Sequence, residues 1–70
     1  MKKISVSLSG HQTSISIEDE FIVALNKIAR DKNRSVASII QEIDSIRTPG
    51  TNLSSAVRVW ILRHNTQSAI

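Results

Sequence analysis

The chain has no cysteine, one proline, two glycines and only two aromatic residues, Phe21 and Trp60. Without cysteine there is no disulfide and no thiolate metal site, and His11 and His64 are too few and too isolated to build a metal cage. Gly10 and Gly50 cannot form a Walker or dinucleotide loop. None of the many serines sits in a glycine-flanked nucleophile elbow, and neither histidine has an orienting acid beside it. Glu18, Asp19 and Glu20 are contiguous, but a helix fans three neighbours over different faces, so they read as charges at a helix start. No catalytic residue, no metal and no cofactor is therefore expected. Two aromatics are also too few to stack single-stranded nucleic acid. No apolar run is long enough to span a membrane, and no helix sets a basic face against a large aromatic one. Met1-Lys2-Lys3 has the charge of a signal-peptide start, but Ile4 to Ser9 alternates with serine, so a cytoplasmic protein without a membrane partner is expected.

What is present is a short basic chain with clear patterning. Seventy residues make one domain, and a chain of that size without disulfides or metal gains most by associating with a second copy. The net charge of +3 suits a polyanionic partner. Lys2 and Lys3 precede the first acid, Glu18. Arg30, Lys32 and Arg34 surround a single Asp31, and Arg58 and Arg63 lie in a stretch with no acid of its own.

Residues 12–17 (Gln-Thr-Ser-Ile-Ser-Ile) alternate polar and apolar, which places Ile15 and Ile17 on one face of a strand and Gln12, Ser14 and Ser16 on the other. Residues 4–8 alternate equally well, and Ser9-Gly10 separates the two stretches like a turn. Residues 1–11 are thus an arm or an extra strand, and 12–17 the strand best placed to pair with its copy in a second chain. A first helix is expected over 19–32, with Phe21, Leu25, Ile28 and Ala29 on its apolar stripe and Ser16 and Asp19 as a capping box. Asn33 suits a left-handed stop. A second helix, 36–46, opens on Ser35 as N-cap and carries Val36, Ile39, Ile40, Ile43 and Ile46. Residues 47–51 turn at Pro49-Gly50. A third helix, 53–64, capped by Thr51 or Asn52, carries Leu53, Ala56, Val57, Trp60 and Ile61. Residues 65–70 are expected to fray, and His64 to act as a charge partner at the helix C-terminus. The fold class is α+β, mostly helical.

A two-stranded ribbon with uncharged polar side chains outward fits the major groove of duplex DNA. Gln can make paired bonds to adenine, and Ser can donate or accept at several base edges. The first amides of the second helix can hold a phosphate. The order of strand, helix, Lys32-Asn33-Arg34-Ser35-Val36 link and second helix resembles the ribbon-helix-helix (Arc/MetJ-like) family of DNA-binding dimers over Gln12 to about Ile46. Thr13-Ser14-Ile15-Ser16-Ile17-Glu18, with Asn52-Leu53-Ser54-Ser55-Ala56-Val57-Arg58-Val59, resembles a subgroup of small bacterial members with an extra C-terminal helix.

The resemblance implies an intermolecular two-stranded antiparallel ribbon. In it Gln12, Ser14 and Ser16 contact bases, while Lys32, Arg34, Ser35 and Val36 contact phosphate. Ile15, Ile17, Phe21, Leu25, Ile39, Ile40 and Ile43 form the dimer core. The implied function is that of a sequence-specific transcriptional regulator bound to double-stranded DNA as a homodimer. The rival readings are an antitoxin of a toxin–antitoxin pair and a protein-interaction module that has lost DNA binding. Two features depart from the family pattern. Many ribbons in the family include Arg or Lys among the base readers, and this one does not. The third helix lies beyond the minimal fold, where it completes the core, masks a patch or binds another protein.

Overall fold

The computed structural model describes the backbone of residues 1–68 and the side chains of residues 1–64. Two strands, β1 (Lys2–Leu8) and β2 (His11–Ile17), are followed by α1 (Asp19–Asp31), α2 (Val36–Ile46) and α3 (Leu53–Ser68). The strands pair antiparallel, with Lys3 opposite Ser16, Ser5 opposite Ser14 and Ser7 opposite Gln12. Ser9 and Gly10 close the hairpin with φ of 50° and 84°. Positive φ at both central residues gives a turn whose twist matches that of the strands, and Gly10 adopts it without a Cβ penalty. Ser9, a non-glycine in the same region, is gripped from α2. Its N–H donates to Gln41 Oε1 at 3.0 Å, and Gln41 Nε2 donates to its Oγ at 3.2 Å. The partner strand of β2 is therefore β1 of the same chain, where the sequence left residues 1–11 as an arm or a strand.

The helix ends follow local chemistry. Glu18, not Ser16, is the N-cap of α1; its carbonyl accepts from Phe21 and Ile22 N–H at 3.0 and 3.1 Å, and no side chain caps. Alternation along β2 turns Ser16 outward, which rules out the expected capping box. At the other end of α1, Asn33 takes φ 56°, with Asn33 N–H on Arg30 O at 3.1 Å and Arg34 N–H on Ala29 O at 2.9 Å. That pair of bonds is the Schellman stop. Ser35 caps α2, its Oγ accepting from Ser38 N–H. A turn at Thr48–Thr51, with Gly50 at φ 91°, leads to α3. There Asn52 is the cap, Oδ1 accepting from Ser55 N–H at 2.8 Å. The α3 backbone stays helical through Ser68 rather than fraying at 65; residues 69 and 70 lie outside the described residues.

The inward side of the hairpin packs on α2 through β1 and on α3 through β2, and α1 closes against both of those helices. Val6, Leu8, Ile15, Ile17, Leu25, Ile28, Ala29, Ile39, Ile40, Ile43, Val57, Trp60 and Ile61 form one buried cluster, with Phe21 and Val36 half-buried against it. Ile15 and Ile17, 3% and 0% exposed, are covered within one chain. Their burial does not depend on a second copy, because β1 and α3 supply what the sequence assigned to a partner. Six of the seven residues expected in a dimer core lie in this intrachain core, and Phe21 lies at its margin. Ile46 departs from the α2 stripe and is 66% exposed. Among the described residues no helix is long and apolar enough to cross a membrane.

Candidate nucleic-acid interface

Because side chains alternate across a strand, the hairpin has one apolar and one polar face. Lys3, Ser5 and Ser7 of β1 and Gln12, Ser14 and Ser16 of β2 are all exposed, and the register sets them opposite one another in three rows. The expected readers Gln12, Ser14 and Ser16 thus share one face, and β1 adds a second line of polar groups. Lys3, opposite Ser16, supplies the cation that β2 lacks.

The sheet has only these two strands, so β2 keeps one edge with no strand beside it among the described residues. A two-residue turn closes on a hydrogen-bonded pair, and such pairs alternate up the ladder. His11, Thr13, Ile15 and Ile17 therefore exchange bonds with β1, while the peptide groups of Gln12, Ser14 and Ser16 point to the other edge. The Ser16 carbonyl does so, and accepts from Arg58 Nη2 at 3.4 Å.

The start of α2 is the second feature. The helical ladder begins with Ile39 N–H on Ser35 O at 3.2 Å, and Ser38 N–H is taken by Ser35 Oγ at 3.1 Å. The N–H groups of Val36 and Ala37 come before the ladder and point out of the helix. No acid lies in this first turn. Lys32 is exposed beside it. Arg34 is not a free cation. Its guanidinium donates to Ser38 Oγ at 2.9 Å and Ser38 O at 3.1 Å, and reaches Glu42 at 2.7 Å. The sequence missed this pair because Glu42 lies two turns further along α2, on the same face as Ser38.

The start of α1 is built the opposite way. Asp19 and Glu20 occupy its first turn, which favours the helix dipole without an outside anion. Glu18 turns its carboxylate to Arg58 on α3, with Nε–Oε1 at 2.8 Å and Nη2–Oε2 at 3.3 Å. The hydrogen bond from Arg58 holds the Glu18 carboxyl below the usual glutamate range. Arg58 therefore has an acid partner 40 residues away in the chain, which its own stretch of sequence could not reveal.

Helix α3 faces inward with Val57, Trp60 and Ile61, while Val59 and Leu62 stay exposed. Trp60, only 7% exposed, is a core residue. His64 stacks on it with ring centroids 3.7 Å apart, and its Nδ1 lies 2.8 Å from Trp60 O. His64 thus packs on Trp60 one turn earlier in α3, and the helix runs on past it to Ser68. Lys3, Ser5 and Ser7 escaped the sequence reading because alternation alone does not show whether residues 4–8 pair with 12–17. Ser9-Gly10, already legible as a turn, carried the missing signal in its two-residue length, which fixes the register that sets Lys3, Ser5 and Ser7 opposite Ser16, Ser14 and Gln12.

A family model described as a ribbon-helix-helix domain matches residues 1–65. No match was found among curated proteins or among solved structures. Ribbon-helix-helix domains are a non-enzymatic DNA-binding fold that generally binds as dimers, and the family supports roles as transcription regulators or of antitoxin type. The match runs from β1 through most of α3 and takes in the hairpin, both capped helices and the link between them, so the chain belongs to the ribbon-helix-helix family.

Proposed function

We propose that the protein is a cytoplasmic, sequence-specific regulator of transcription that binds duplex DNA as a homodimer. Two copies join through the strand-free edge of β2, with Ser14 near the two-fold axis and Gln12 opposite Ser16 of the second copy, whose carbonyl has a second lone pair beside the one facing Arg58. The two β2 strands lie in the major groove, where Gln12, Ser14 and Ser16 meet base edges. The amides of Val36 and Ala37 hold a phosphate at the positive end of α2, with Lys32 beside them. Ser35 caps that helix, and Arg34 braces Ser38 and Glu42 while keeping positive charge near its start.

One observation carries this reading: the exposed Gln12, Ser14 and Ser16 share one face of a ribbon whose other face is locked into the core. A chain that only needed solubility would gain more from charges there. Selection of bound duplexes from a random pool tests it. A palindromic consensus with two equivalent half-sites is expected, and sedimentation should give two chains per site. Recovery of no consensus would overturn the reading.

A further inference from the structure

We propose that β1 is a phosphate-binding rail, with Lys3 as its main contact and Ser5 and Ser7 as lesser ones. This rests on the homodimer reading above. Joining two hairpins through β2 gives a sheet in the order β1, β2, then β2 and β1 of the second copy. Neighbouring strands lie about 4.8 Å apart, so each β1 axis stands roughly 7 Å from the two-fold axis. The major groove is about 12 Å wide, which leaves roughly 6 Å on each side of that axis. The inner pair of strands fits between the walls, and each β1 comes to rest over a wall. The walls are the phosphate backbones, so outward side chains of β1 meet phosphate oxygens and those of β2 meet bases.

The residue types match this division. Lys3 is exposed on the outer face, directly across from Ser16. An ammonium on a flexible stem is a good point charge for a phosphate and a poor reader of base edges. Ser5 and Ser7 are exposed on the same face, and their hydroxyls can donate to phosphate oxygens. Gln12, the one side chain here with paired donor and acceptor, sits on β2, inside the walls. Lys2 gives an internal comparison, because it pairs with Ile17 and points to the opposite side of the sheet.

The test compares Lys3→Ala and Lys2→Ala, which remove equal charge, by titrating the selected duplex and a scrambled duplex between 50 and 200 mM salt. If Lys3 binds one phosphate per chain, its loss should flatten the log–log salt slope by about 1.8 per dimer, or about tenfold in affinity over that range. The loss should be equal on both duplexes, and Lys2→Ala should change the slope far less. Melting curves of both variants should match the parent protein, since neither side chain is in the core. Equal slopes for the two variants, no slope change for Lys3→Ala, or an altered base preference would each overturn the rail. A parent protein that binds no duplex, or Gln12→Ala with an unchanged consensus, would bring down the proposed reading of DNA by β2 instead, and a single chain per site in sedimentation the homodimer.

Discussion

The two faces of the hairpin share one backbone and one register, yet they serve different ends. Inward, Val6, Leu8, Ile15 and Ile17 are buried in the core; outward, Lys3, Ser5, Ser7, Gln12, Ser14 and Ser16 are all exposed. The inner face holds the chain together, and the outer face contributes almost nothing to that. In a chain this small, a strand commits every second residue to folding and leaves the alternate ones exposed, open to the proposed recognition of DNA.

Substitutions can break this division in order of size. Trp60, which packs in the same core as the inner face, should cost about 3–5 kcal/mol when cut to Ala, a large part of the whole stability of a small domain. Intrinsic fluorescence of the parent should be blue-shifted and poorly quenched; an exposed emission would place Trp60 outside the core. Ile17→Ala on the inner face should cost about 2–5 kcal/mol, read as a large drop in Tm by circular dichroism. Gln12→Ala on the outer face should leave Tm unchanged and weaken binding of the selected duplex by about 1–3 kcal/mol, relaxing preference at one position per half-site. A drop in Tm for Gln12→Ala would erase the division.

The smallest effect comes from the Glu18–Arg58 pair, where the hairpin ends and α1 begins. The folded carboxyl titrates below its unfolded value, so its contribution is fully present above the ordinary glutamate range. It is lost as pH falls through the lowered folded value. The parent protein should lose slightly more Tm than Arg58→Gln over that acid interval, and the two curves should converge at its lower end. Parallel curves would show that the pair contributes nothing.

Much of this was legible in the sequence, for reasons that differ by element. Period-two alternation placed Ile15 and Ile17 inward and Gln12, Ser14 and Ser16 outward, because strand geometry leaves no other choice. Asn33 and Ser35 announced the stop of one helix and the start of the next through local backbone chemistry. Helical spacing put Trp60 and its neighbours on one apolar stripe that favoured the core over a docking surface, and the structure buries Val57, Trp60 and Ile61. What stayed hidden was long-range. Nothing in the sequence near Arg58 points to Glu18, nor from Gln41 to Ser9, because those contacts exist only once the helices dock. The cover over Ile15 and Ile17 was assigned to a second chain for the same reason, since periodicity shows that a face must be covered and not by what.

Gln41 has a further consequence. It ties the tip of the hairpin, at Ser9, to the middle of α2, the helix whose first amides are proposed to hold a phosphate. The spacing between the ribbon and that anchor is then fixed by a helix rather than by a hinge. On the proposed function, such a body acts as a gauge: it accepts duplexes whose groove floor and backbone lie at the matching separation, and sequences that widen or narrow the groove are rejected even where no side chain touches them.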